Sequence, residues 1–147
     1  MKTKLLTLAL LMLVVAFGIT SCDKDEDDDP TVTYNVVLNG AKEVPANPST
    51  ATGTATFTYD TITYTLSGSV RYSGFTATNA HIHKGAANVS GGVAFPLTAP
   101  FDVSPIVLVS VVLNATQRAD LKANLYYINV HSVAYPGGEI RGQLTNP

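Results

Sequence analysis

The amino-acid sequence predicts an all-β protein, namely an antiparallel Greek-key β-sandwich with one short helix, preceded by a signal peptide and a disordered acidic tether. Two observations predict the sandwich. Many short segments alternate polar with apolar residues, and Gly, Pro, Asn or Ser separates one segment from the next. The segments do not alternate with long helices, as the βαβ units of an α/β fold would require. A chain of 147 residues has room for one such domain.

The strand prediction is clearest at residues 54–59, where threonines alternate with Ala, Phe and Tyr. A period of two is typical of a strand with one face in the core. Residues 61–66 repeat the alternation with Ile62, Tyr64 and Leu66 on the predicted inner face, and Asp60 between the two segments predicts a hairpin. The other predicted strands are residues 32–38, 77–83, 93–97, 106–113, 125–131 and 139–144.

Residues 115–124 are the one predicted helix. Asn114 precedes it as a candidate N-cap, and Gln117 lies three residues later, which is the spacing of a capping box. Leu121 is expected to face the core.

Residues 1–21 are predicted to be a lipoprotein signal peptide. Lys2 and Lys4 form a basic start, and residues 5–19 are an uncharged apolar segment. That segment is shorter than the about 20 residues of a membrane-spanning helix. The small residues before Cys22, the one cysteine of the sequence, resemble a lipobox, which implies that Cys22 is lipidated and anchors the protein to a membrane. The alternative is an ordinary secretory signal that leaves a free thiol.

Residues 22–32 are predicted to be an acidic tether. Six acids and one lysine occupy residues 23–29, and such a segment repels itself and has no apolar surface to bury. It resembles the acidic export signal of some Gram-negative lipoproteins. The resemblance implies an exported protein that is lipid-anchored to the outer membrane and exposed at the cell surface. A spacer without a targeting role is the alternative.

Residues 33–147 are the predicted folded domain, and their composition excludes several functions. Five acids and six bases leave this part near neutral, without the clustered Lys and Arg that nucleic-acid binding requires. The serines lack a G-x-S-x-G context, and no glycine-rich phosphate loop joins a strand to a helix. We therefore expect a non-enzymatic binding or structural domain without a nucleic-acid partner, whose protein or glycan partner the sequence does not name.

Three segments carry a family resemblance: LNGAKEVP at residues 38–45, AHIHKG at 80–85, and YINVH followed by PGGEIRGQL within 127–144. Their order and spacing resemble those of a bacterial CHRD (chordin) domain over roughly residues 34–145. The resemblance implies an exported domain. The growth-factor binding of animal chordin is not carried over to this chain.

The three histidines lie inside these segments. His81 and His83 are two positions apart on a predicted strand, so their side chains share one face. His131 lies on the polar face of the 125–131 strand. If the two strands lie side by side, His81, His83 and His131 meet on one outer surface, with Glu139 as a weaker fourth candidate. Imidazoles and a carboxylate suit copper or zinc, so the sequence suggests a metal site.

Two alternatives remain open for these histidines. They could be structural, with hydrogen bonds to loops near Glu139 and Arg141. The His-x-His pair followed by Val-His and a Gly-Gly turn is also similar to the copper/zinc superoxide dismutases, which implies redox activity. The sequence supports that activity least, because it has no candidate bridging histidine, no further histidines and no disulfide.

Overall fold

The computed structural model describes residues 30–147. The predicted signal peptide, the lipidated Cys22 and most of the acidic tether lie outside the described residues. The first strand begins at Thr31, two residues before the predicted start of the domain.

The described chain contains eight strands, one 3₁₀ helix and one α-helix. The strands are β1 (Thr31–Asn39), β2 (Thr52–Asp60), β3 (Thr65–Ser73), β4 (Ala77–Lys84), β5 (Val93–Pro96), β6 (Ile106–Val112), β7 (Tyr126–Ser132) and β8 (Ile140–Leu144). The 3₁₀ helix (Gly40–Lys42) follows β1, and the α-helix α1 (Ala115–Lys122) lies between β6 and β7.

The strands form one antiparallel sheet in the order β5-β4-β7-β8-β1-β2-β3-β6. A bridge between Thr98, just after β5, and Val107 of β6 links its two ends, so the sheet is nearly closed. In this order the β3–β4 connection crosses β6 and β5, and the β6–β7 connection crosses β5 and β4. Connections that skip two neighbouring strands in this way are Greek-key topology. The predicted antiparallel Greek key with one short helix is confirmed.

The nearly closed sheet divides into two four-stranded halves, which are joined within residues 30–147 by one registered pair on one side and by the Thr98–Val107 bridge on the other. The halves are β5-β4-β7-β8 and β1-β2-β3-β6, and between β8 and β1 the register has one pair, Asn39 with Arg141. Leu38 and Phe57 of one half and Ile82 and Ile128 of the other are fully buried in one core cluster. Each such side chain contributes about 1.5–3 kcal/mol to the stability of the fold.

The predicted hairpin differs from the structure on its second arm. The carboxylate of Asp60 accepts hydrogen bonds from the backbone N–H groups of Ile62 and Thr63, each at 2.8 Å, and these bonds hold the chain in a turn. Ile62 is 72% exposed, and Tyr64 is 42% exposed with a positive φ of 59°. The prediction that these two residues face the core was wrong, because they lie in the turn that Asp60 forms and not in β3. The prediction was right for Leu66, which lies in β3 and is fully buried.

Helix α1 agrees with its prediction. The Asn114 side chain accepts from the Gln117 backbone N–H, and the Gln117 side chain accepts from the Asn114 backbone N–H, each at 2.9 Å. This is a complete capping box. Leu121 is fully buried and attaches the helix to the core. Neither helix within residues 30–147 has the length and hydrophobicity needed to cross a bilayer.

The β4–β5 loop, residues 85–92, covers the outer face of β7 and β8. Arg141 Nη2 donates to the carbonyls of Ala86 at 3.1 Å and Val89 at 3.0 Å. The Gly91 N–H donates to the Tyr127 hydroxyl at 3.1 Å. All of β7 is consequently buried, on its outer face as well as on its core face.

Candidate metal site

Strands β4 and β7 pair directly, and this pairing gathers the histidines. In the antiparallel register His81 lies opposite Asn129, His83 opposite Tyr127, and Asn79 opposite His131. Ala80 and Ile82, the alternate residues of β4, are fully buried in the core. The two β4 histidines therefore point to the outer face, as strand alternation predicted.

The three imidazoles are close enough to share one ion after a small adjustment. One ring nitrogen from each of His81, His83 and His131 lies within 4.8 Å of the other two. His81 Nδ1 and His131 Nε2 are 3.1 Å apart. With metal–nitrogen bonds of about 2.0–2.1 Å, two ligands of a tetrahedral ion are about 3.3 Å apart. That pair is thus near its bound distance, and the third ring would have to approach by at most about 1.5 Å.

Backbone carbonyls orient two of the rings. His131 Nδ1 lies 2.9 Å from the Pro136 oxygen, and His83 Nδ1 lies 3.0 Å from the Gly91 oxygen. A carbonyl accepts and cannot donate, so each Nδ1 carries the hydrogen and each Nε2 carries the lone pair in the neutral ring. Histidines that ligate metals are commonly held in this way. His83 Nε2 is buried and has no hydrogen-bond partner.

All three imidazoles are shifted toward the neutral form that binds metal. Burial lowers the pKa of His81, and the nearby His131 and His83 lower it further. Burial likewise lowers the pKa of His83 and of His131, and the carbonyl hydrogen bond of each ring opposes that effect in part. Because a metal competes with protons for these nitrogens, lowered pKa values favour metal binding at neutral pH.

An aromatic contact holds His83 in place. Its ring stacks on Tyr127 with centroids 5.0 Å apart and planes inclined by 6°. The Arg141 guanidinium carbon lies 3.4 Å from the centroid of the same tyrosine ring. The sequence indicates Arg141 only as a neighbour of loops that structural histidines could contact, and it does not single out Tyr127.

Glu139, the fourth predicted ligand, has a different partner. Its Oε1 accepts from the Ser49 hydroxyl at 2.7 Å, and its backbone carbonyl accepts from Asn47 Nδ2 at 3.1 Å. Within residues 30–147 the group of candidate ligands contains the three histidines without Glu139. The structure therefore brings together three of the four predicted residues, and Glu139 instead joins the β1–β2 loop to the β7–β8 turn.

A second polar cluster lies on the same face of β7 and includes Glu43, a residue that the sequence did not assign to a site. Glu43 is 8% exposed, and its two carboxylate oxygens accept from Asn129 Nδ2 at 2.8 and 3.0 Å. Burial raises the pKa of Glu43 to about 7, although Arg141, a backbone N–H and Asn129 each lower it in part. The position of Glu43 in the first family segment was the available signal.

The β7–β8 turn fits against this second cluster at Gly138. Its φ is +138°, a region that favours glycine, and a Cβ there would lie 2.2 Å from Asn129 Nδ2 and 2.6 Å from Glu43 Oε1. The Gly-Gly turn noted in the sequence thus brings its backbone against the Glu43–Asn129 pair.

Comparison with known proteins identifies the family. A family model described as CHRD domain matches residues 34–144, which is most of the chain. No curated protein and no solved structure matches the chain. The matched residues run from β1 to the end of β8 and contain the three histidines as well as Glu43 and Arg141. The chain therefore belongs to the CHRD domain family.

Proposed function

We propose that this CHRD domain binds a transition-metal ion, copper or zinc, through His81, His83 and His131, without catalysing a reaction. The observation that carries the proposal is the buried Nε2 of His83, which has a lone pair and no hydrogen-bond partner beside two other imidazoles. An unsatisfied buried acceptor costs about 1–3 kcal/mol. A metal ion at this position would satisfy the lone pair of His83 and would replace His81 as the partner of the His131 lone pair.

A purely structural cluster fits these contacts less well. Most buried side-chain polar atoms have a hydrogen-bond partner, and both ring nitrogens of His131 have one, in Pro136 and His81. His83 uses one nitrogen, on the Gly91 carbonyl, and leaves the other buried and unused. That difference supports metal binding over a role limited to packing.

The ligand types favour particular metals. Imidazole nitrogens suit copper and zinc, and divalent copper binds a given nitrogen site more tightly than zinc does. Binding requires one change at His81. His81 Nδ1 now carries a hydrogen and donates it to His131 Nε2. When the ion enters, that proton must leave or move to Nε2 of His81.

The proposal of a non-enzymatic site rests on the composition of the group. Among residues 30–147 no carboxylate or cysteine joins the three histidines, so the cluster offers ligands without an adjacent acid or nucleophile. A superoxide assay on the copper-loaded protein tests this part. Dismutation at an enzyme-like rate, abolished by His83→Ala, would replace binding with redox catalysis.

Metal analysis of the mature protein, purified without a histidine tag, tests binding itself. We expect one copper or zinc ion per chain, and we expect the ion to be lost from the variant with alanine at all three histidines. Glu139→Gln is the matched control and should keep the ion, because Glu139 lies outside the group. A metal-free protein whose melting temperature does not change on adding either ion would refute the proposal. Far-ultraviolet circular dichroism shows whether each variant is folded.

The proposed location is the outer membrane, through a lipid on Cys22. The lipobox-like sequence and the acidic residues 23–29 support this part of the proposal. Metabolic labelling with a palmitate analogue should mark the wild-type chain and not Cys22→Ser. Protease added to intact cells would show whether the domain faces outward, and a chain that remains unlabelled would refute the anchor.

A further inference from the structure

A cavity of about 420 Å³ lies over the junction of β8 and β1. Its lining includes neither the Glu43–Asn129 pair nor any of the three histidines. Asn39 and Arg141 are the one registered pair between these strands, so the sheet opens beside them. The β4–β5 loop closes the other side with Ala87 and Asn88. The volume is within the range of small-molecule sites, which is about 300–1,000 Å³.

Two cations line this cavity, and no acid does. Arg141 is 3% exposed, and Lys42 is exposed at the rim. Within residues 30–147 the ion pair found at 4.0 Å or less is that of Lys84 with Asp120, so neither lining cation has one. Arg141 donates to backbone carbonyls, which satisfy hydrogen bonds without neutralising the charge.

An arginine buried without an ion pair is unusual, because burial of a charge is costly unless an opposite charge accompanies it. Glu43 is the acid that acts on Arg141 electrostatically. Its own pKa of about 7 leaves it only partly ionised at neutral pH, so its compensation is incomplete. Arg141 thus lines the cavity with a charge that the Tyr127 ring and two carbonyls contact but no ion pair within residues 30–147 neutralises.

The rest of the lining indicates what kind of anion would fit. The side-chain amides of two asparagines and a threonine hydroxyl offer hydrogen bonds, whereas the amide nitrogen of the lining glutamine already donates to the carbonyls of Gly85 and Asn124. Four apolar residues complete the wall. These polar and apolar lining residues are Asn35, Asn88, Gln143, Thr145, Val36, Val37, Ala41 and Ala87. A planar guanidinium matches a carboxylate in two-point geometry, and the apolar wall suits a carbon skeleton attached to it.

From this combination we infer that the cavity between β1, β8 and the β4–β5 loop binds a small organic carboxylate, with Arg141 and Lys42 as its cationic contacts. The inference is independent of metal binding, since the lining of the cavity includes none of the three histidines.

Titration of the ¹⁵N-labelled mature protein with succinate and glucuronate tests the inference. Succinamide is the uncharged match for succinate, and inorganic phosphate tests whether charge alone suffices. We expect the amide signals of Ala87, Asn88 and Gln143 to shift with both carboxylates, with a dissociation constant on the order of 1 mM or tighter. We expect no such shifts with succinamide and at least tenfold weaker binding of phosphate.

Two charge-reversed variants make the test specific. Lys42→Glu should weaken binding at least tenfold, whereas Lys122→Glu, the same change at an exposed lysine outside the cavity, should leave it unchanged. Arg141→Lys keeps the charge and removes the planar fork, so it should also weaken carboxylate binding. If Arg141→Lys does not fold, the Lys42 and Lys122 pair still decides the outcome. Absence of shifts at about 10 mM carboxylate, equal binding of phosphate, or equal loss in both lysine variants would overturn the inference.

Discussion

Glu43→Gln removes a buried carboxylate whose ionisation should oppose folding. The Glu43 side chain is 8% exposed and accepts from Asn129, and glutamine preserves its shape without its charge. Burial raises the pKa of Glu43 from the ordinary 4.5 to about 7. One pKa unit corresponds to about 1.4 kcal/mol, so ionising this carboxyl in the folded state costs about 3 kcal/mol of stability.

The direction of the pH dependence follows from proton counts. Between pH 4.5 and about 7 the unfolded chain has lost the Glu43 proton and the folded chain retains it. Raising the pH through this interval therefore favours unfolding, and the contribution of Glu43 is constant above it. Glutamine has no proton to lose. From pH 5 to pH 8 the stability of the wild type relative to Glu43→Gln should fall by about 2.5 kcal/mol.

Urea unfolding of both proteins at pH 5, 6, 7 and 8, followed by circular dichroism, measures this difference. The histidines titrate in both proteins, so their effect cancels in the comparison. Asp102→Asn is the control, because Asp102 is an exposed carboxylate and its variant should track the wild type at each pH. A difference between wild type and Glu43→Gln that stays constant within about 0.5 kcal/mol would refute the reasoning, since that is the scale of surface substitutions.

Three further predictions concern the turn, the helix and the metal. Gly138→Ala should destabilise the domain by about 2 kcal/mol or more, because the added Cβ would meet Asn129 and Glu43. Gly137→Ala is the control, since a Cβ there has open space. Thermal unfolding of the two variants checks this, and equal losses of stability would contradict it. Asn114→Ala should cost about 1 kcal/mol in urea unfolding through loss of the helix cap, and an unchanged midpoint would argue against the capping box. Zinc affinity measured by calorimetry should be nearly constant between pH 7.5 and 6.5 and should fall at lower pH. The reason is that the pKa of each histidine is lowered below 6.5, so protons compete with zinc only under more acidic conditions. An affinity that stays constant to pH 4.5 would exclude imidazole ligands.

Local patterns predicted most of the strands and the helix because each depends on neighbouring residues. A period of two marks a strand with one buried face, and Asn114 with Gln117 marks the start of α1 whatever the helix packs against. The second arm of the hairpin was predicted wrongly for the same reason. The alternation continues through Ile62 and Tyr64 in the sequence. The Asp60 carboxylate nevertheless accepts hydrogen bonds from two backbone N–H groups, and these bonds form a turn.

The sequence by itself determined that the two β4 histidines share a face, because side chains alternate along any strand. Only the tertiary structure decided that β4 pairs with β7, which brings His131 to that face. It also decided that the carbonyls of Gly91 and Pro136 hold two of the rings, and that Arg141 lies beneath a loop 50 or more residues away in the chain. Alternation is a property of one strand, whereas strand order and loop contacts arise from burial of the whole core, which no local pattern specifies.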